Sequence, residues 1–202
     1  MKKKDKNNSE KAKLRDKLMD LMLEKCFRLG SFTLASGRKS DYYIDGRIAS
    51  LHPEGAYYIG SIFLDWCIEL GADAVGGLTL GADPIVGAVV TLSHLAKKPI
   101  RGFIVRKKQK EHGTGKLVEG EILEGDTVVI VEDVVTTGAS AFDAVEAAKK
   151  AGAKVIAVLA VVDREEGGAK AFVKEGLTFI PIFTASELKQ AAWQRKDKKT
   201  AD

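Results

Sequence analysis

A chain of 202 residues, 45% hydrophobic and 30% charged, has the length and composition of one soluble globular domain, with no room for a second catalytic one. Its net charge of +4 is modest and uneven, with lysine and arginine crowded before Lys17, between Arg106 and Lys116, and in the tail from Arg195 to Lys199. These clusters lack interleaved aromatic residues, which argues against a nucleic-acid partner, and neither a secretory leader nor a membrane anchor is expected. Cys26 and Cys67 form no C-x-x-C pair, so two buried free thiols in a cytoplasmic protein are expected.

Leu14, Leu18, Leu21, Met22 and Leu29 recur at helical spacing, which predicts an amphipathic helix over 10–29. After a turn at His52-Pro53-Glu54-Gly55, a second helix is expected from about Tyr57 to Leu70, stopped by Gly71. Strands and helices then alternate. Strands are predicted over Ala74–Leu80, Ile100–Arg106, Thr127–Glu132 and Lys154–Asp163, and helices over Pro84–Ala96 and Ser140–Ala151. Such alternation predicts an α/β fold whose mostly parallel central sheet is flanked by helices on both faces, and Val155 to Val162 suits a strand buried on both sides.

The most informative stretch runs from Val128 to Ser140. A β-branched run ends in two carboxylates, Glu132 and Asp133, and Val134-Val135-Thr136-Thr137-Gly138-Ala139-Ser140 then leads into an alanine-rich helix. A helix start leaves backbone N–H groups without partners and carries the positive end of the peptide dipole, so small residues there let a phosphate approach. Carboxylates at a strand end accept hydrogen bonds from sugar hydroxyls. The implied ligand is a phosphorylated sugar. Arg106 to Lys116 sets five cationic side chains and His112 against one acid, Glu111, and is punctuated by Gly113 and Gly115. It reads either as a solvated hairpin tip or as a closing loop that neutralises anionic charge.

Val129 to Ser140 resembles the phosphoribosyl-pyrophosphate signature of the type I phosphoribosyltransferases. Within that family Phe32 to Tyr43, Gly77 to Pro84, Val105 to Gly113 and Asp163-Arg164 are similar to the orotate-specific branch. The resemblance implies the type I phosphoribosyltransferase fold, with a core at about 55–165. A small hood would form from about 10–50 and 166–192, with residues 1–9 and 195–202 disordered. It implies transfer of a 5-phosphoribosyl group from phosphoribosyl pyrophosphate to orotate, with Mg²⁺ held mainly by substrate, in a homodimer with shared sites. The site it implies assigns Glu132, Asp133 and Lys110 to catalysis. Arg106, Lys107, Lys110, His112 and the run from Glu132 through Val134, Val135, Thr136, Thr137, Gly138, Ala139 and Ser140 would bind phosphoribosyl pyrophosphate. Tyr43, Thr136 and Arg164 would bind the base.

The chain departs from many members in carrying Ala35 and Gly81 where they carry lysine. The rival readings are a phosphoribosyltransferase for another nucleobase, which the Phe32 segment and Arg164 oppose, and a non-catalytic regulator that senses phosphoribosyl pyrophosphate. Gly113-Thr114-Gly115-Lys116 is no P-loop, because Leu117 stands where a Mg²⁺-binding hydroxyl is needed and Lys110 where the first glycine is.

Overall fold

In the computed structural model, residues 2–33, 37, 39–108 and 117–201 are described, with side chains between residues 10 and 197. Helix α1 spans Lys2–Leu21 and passes through a π-helical turn, Met22–Cys26, into strand β1, Phe27–Thr33. The helix expected over 10–29 therefore stops early, and Leu29 lies on a strand. The reason is pairing: β1 runs antiparallel to β2, Lys39–Ile44, with Phe27 opposite Ile44 and the Phe27 and Tyr42 rings stacked at 5.7 Å. Cross-strand aromatic packing outweighs the helical spacing of a few leucines. The backbone of residues 2–9, expected to be disordered, is the start of α1.

Asp45 caps the short helix α2, Gly46–Ser50, by accepting from the Arg47 N–H at 3.1 Å. Helix α3, Pro53–Leu70, begins within the expected turn because Pro53 is pre-organised for a first helical position, and it ends at left-handed Gly71. There follow β3 (Ala74–Leu78), α4 (Asp83–Leu95), β4 (Arg101–Val105), β5 (Val118–Gly120), β6 (Thr127–Val135), α5 (Ala139–Lys150), β7 (Lys154–Asp163), α6 (Gly168–Lys174), β8 (Thr178–Thr184) and α7 (Ala185–Ala201).

Six strands form one sheet in the order β5-β4-β3-β6-β7-β8, parallel throughout except for β5 against β4. The alternation of strand residues builds two cores. On β6 and β7, Val129, Val131, Leu159 and Val161 face the core beneath α1, α3 and α4, while Val128, Ile130, Val158 and Ala160 face the one beneath α5. Both faces are covered, as a buried parallel sheet requires. Other boundaries differ from expectation too, and β3 ends at Leu78 rather than Leu80. β6 continues past Glu132 to Val135, held by pairing of Val134 with Val162 and Val135 with Asp163. The segment after 166, expected as hood, supplies β8 to the main sheet, and α7 runs through the tail expected to be disordered. Cys26 and Cys67 are buried and unbridged, and burial pushes their thiols up to about 11 and about 12.

Phe172 is fully buried and joins Phe142 and Phe179 at centroid distances of 4.8 and 5.0 Å beneath the β6–α5 turn. Phe172→Ala is expected to cost about 3–5 kcal/mol. Equilibrium denaturation checks this, and a loss below about 1 kcal/mol would show that the cluster does not hold the turn.

Candidate active site

The site forms where β3 and β6, adjacent in the sheet, release their C-terminal ends. Glu132 is only 6% exposed, and burial, reinforced by the neighbouring Asp133 charge, pushes its carboxyl up to about 8. The Lys107 charge acts in the opposite direction. Glu132 Oε2 is buried with no hydrogen-bond partner among the described residues. The two acids therefore lie inside the strand, not at its end as the sequence suggested, and the strand fixes their spacing.

Against them rests the loop between β3 and α4, whose Thr79–Leu80 peptide is cis. A Cβ on Gly81 would lie 2.5 Å from Asp133 Oδ1 and 2.8 Å from Glu132 Oε1. Only glycine admits so close an approach of backbone to the acid pair. Thr79 Oγ1 donates to Asp83 Oδ2 at 2.8 Å, tying the loop to the first turn of α4.

On the other side is the β6–α5 turn. Gly138 takes φ +88°, and a Cβ there would lie 2.8 Å from the Phe172 ring, so the turn requires glycine on both grounds. No side chain caps α5. Its first amides border a hollow of ≈ 50 Å³ lined by Glu132, Val134, Val135, Thr136, Gly138, Ala139 and Ser140. The Thr136 carbonyl accepts from Gly168 N–H at 3.0 Å, which anchors the turn from behind. Thr137 is exposed and does not border the hollow.

Glu132, Val134 and Ser140 also line a larger cleft of ≈ 300 Å³, which sets the two spaces side by side. Asp133, Gly81, Lys107, Tyr43, Asp45 and Arg47 complete its walls. Arg106 faces an adjoining hollow and pairs with Glu119 Oε1 at 2.9 Å. Arg164 does not line the cleft. Its side chain is 9% exposed, with Nε 2.9 Å from Glu166 Oε1 and the guanidinium 4.9 Å over the ring of Tyr42. A buried cation stacked beside a cleft-lining strand is a different object from a solvated surface arginine. Lys110 and His112 lie outside the described residues, as do Leu34, Ala35, Ser36 and Arg38.

The phosphoribosyl transferase domain family matches residues 68–186. The orotate phosphoribosyltransferase of Rhodopseudomonas palustris is 47% identical over 181 residues, covering 88% of this chain and 97% of its own. That of Nostoc sp. is 47% identical over 178 residues, 88% of this chain and 86% of its own. The chain belongs to the orotate phosphoribosyltransferase family. The crystal structure of the Mycobacterium tuberculosis orotate phosphoribosyltransferase in complex with Fe(III) dicitrate is similar at a TM-score of 0.77 and 40% identity, covering 87% of this chain and 98% of that one. A second structure of that enzyme, in complex with 5-phospho-alpha-D-ribosyl 1-diphosphate, has a TM-score of 0.73 at 36% identity, covering 87% of this chain and 99% of that one.

Seen as an orotate phosphoribosyltransferase site, the cleft has a wall that the sequence reading missed: Asp45, Gly46, Arg47 and Leu80. The available signal was an acid and an arginine flanking a glycine just after Tyr43.

The raised Glu132 carboxyl has a consequence for stability. Between about 4.5 and about 8 the folded protein keeps a proton that the unfolded chain has released, so this group makes stability fall as pH rises, by at most about 1.4 kcal/mol per pH unit. Glu132→Gln is therefore expected to raise Tm more at pH 8 than at pH 5. Thermal melts at the two values check it, and an equal shift at both would contradict the assignment.

Proposed function

We propose that this protein transfers the 5-phosphoribosyl group of phosphoribosyl pyrophosphate to orotate, giving orotidine 5′-monophosphate and pyrophosphate. The observation that carries this reading is the adjacency of a small hollow at the uncapped α5 terminus to a cleft walled by two strand-borne acids, with Glu132, Val134 and Ser140 lining both. The family relationship, with relatives matched over nearly their whole length, supports the same reaction.

The turn from Thr136 to Ser140, with Val134 and Val135 leading into it, holds the 5′-phosphate by its amides and the helix dipole. Glu132 and Asp133 accept the ribose hydroxyls, and their charge favours the oxocarbenium character that builds as the anomeric C–O bond breaks. Deprotonation of Glu132 is then promoted by the incoming sugar and its cations, because an ionised buried carboxylate needs partners. Lys107, with Arg106, Lys110 and His112 of the basic loop, stabilises the departing diphosphate. Tyr43 and Thr136 lie along the base, and Arg164 offers its planar fork to the orotate carboxylate.

Mg²⁺ suits this arrangement: Glu132 Oε2 is buried and unpartnered, and Glu132 and Asp133 would meet the ion through its waters or sugar ligands, with most coordination coming from the diphosphate. When bound, the ion would neutralise charge on the leaving group. Docking of a second copy is part of the proposal. An apolar surface beside the cleft, with Leu51 72% and Leu80 67% exposed near Ile48 and Pro84, supports it.

Loss of orotate absorbance in the presence of phosphoribosyl pyrophosphate and Mg²⁺ tests the reaction. Turnover with another nucleobase and none with orotate would overturn it. Lys110→Ala is expected to lower kcat roughly 100- to 1,000-fold with little change in KM, and unchanged turnover would remove the loop from the chemistry. Mixing that variant with an inactive Asp133→Asn protein should restore partial activity if the loop acts across a dimer. A strictly monomeric active protein would contradict this.

A further inference from the structure

Three carboxylates, Asp45, Glu132 and Asp133, line the cleft, and the described cations that face them there are Arg47 and Lys107. The β3–α4 loop contributes no charge, because Gly81 presses bare backbone against Glu132 and Asp133. Arg47 stands on the same wall as that loop, and two features fix it there.

Gly46 brings α2 hard against β6: a Cβ at Gly46 would lie 2.9 Å from Val134 Cγ2 and 3.1 Å from Asp133 Cβ. Asp45 Oδ1 accepts both the Arg47 N–H at 3.1 Å and its Nε at 3.2 Å, while Asp45 Oδ2 lies 3.4 Å from an Arg47 terminal nitrogen. The carboxylate that caps the helix thus also sets the direction of the guanidinium. Yet the side chain remains 53% exposed, and its charge is close enough to Asp133 and Tyr43 for both to favour its protonated form, after the larger effect of Asp45. A guanidinium has five N–H donors in a rigid fork, and the Asp45 contacts use one edge of it.

Resting on the reaction proposed above, we infer that Arg47 is a substrate-binding residue for the diphosphate group, gripping it from the α2 wall of the cleft that Lys107 also lines. Arg47 shares that wall with Leu80 and Gly81 and the cleft with Lys107, whereas Arg164, the cation assigned to the base, is stacked on Tyr42 outside the cleft lining. A planar fork aimed into a space bounded by acids is suited to a ligand rich in phosphate oxygens, whose negative charge those acids would otherwise repel.

The reverse reaction separates this ligand from the rest, because pyrophosphate and orotidine 5′-monophosphate are then distinct substrates. Arg47→Ala is expected to raise KM for pyrophosphate roughly 10- to 100-fold, the loss of a hydrogen bond to a charged group, while KM for orotidine 5′-monophosphate stays within about 2-fold. Arg47→Lys should recover part of the loss, since it keeps charge but not the fork. Calorimetric titration of each variant with pyrophosphate gives the same ranking without turnover, and sedimentation should show the oligomeric state of the unsubstituted protein. An unchanged pyrophosphate KM, an equal rise for both substrates, or altered assembly in both variants would overturn the inference. If the unsubstituted protein neither forms nor cleaves orotidine 5′-monophosphate, it is instead the proposed reaction that fails.

Discussion

Two carboxylates side by side on a buried strand, one of them 6% exposed, set the terms for everything built around them. Ionising Glu132 beside Asp133 is unfavourable in that setting, so its carboxyl is pushed up to about 8. The surroundings then divide by sign. The α5 amides, Lys107 and Arg47 offer positive charge around the cleft without cancelling the acids by direct pairing, as a site awaiting a polyanionic sugar requires. The fold serves this arrangement: β3 and β6 end together, their following loops converge, and glycines at 46, 81 and 138 remove the side chains that would hold the walls apart.

This division also separates rigid from exchangeable parts. The phosphate turn is anchored by Gly168, by Phe172 behind Gly138, and by the pairing of Val135 with Asp163. Arg164 is likewise fixed, between Glu166 and the Tyr42 ring, and Lys189 of α7 sits on the same ring while pairing with Asp41. The C-terminal helix thereby supports the strand that presents Tyr43 to the cleft. On the diphosphate side the described cations are more exposed, as a leaving group that must depart requires.

Much of this was legible in the sequence, for identifiable reasons. The Val128-to-Ser140 run carries its own physics: β-branched residues favour a strand, and a small-residue turn before an alanine-rich helix leaves amides open to an anion. Strand β7 emerged with both boundaries right because eight of its ten residues, all but Lys154 and Ile156, are buried, and the unbroken apolar run reads as a two-sided core strand. The errors arise where local pattern and tertiary pairing compete. Leu29 continues a helical period, yet Phe27 and Tyr42 stack across a hairpin and draw it into β1. Thr178 to Thr184 contains Pro181 and was assigned to the hood, but an edge position beside β7 tolerates proline. Arg47 was missed for a different reason: an acid and an arginine flanking a glycine after Tyr43 do not by themselves say that α2 packs on β6 at Gly46.

The sugar-phosphate anchor at the α5 terminus underlies every other role assigned to the cleft. A crystal structure with orotidine 5′-monophosphate measures this directly. The phosphate oxygens should lie about 2.7–3.2 Å from backbone nitrogens of the 136–140 turn and the first turn of α5, with the ribose hydroxyls facing Glu132 and Asp133. A nucleotide bound with its phosphate among the basic loop residues, leaving that turn empty, would contradict the central claim.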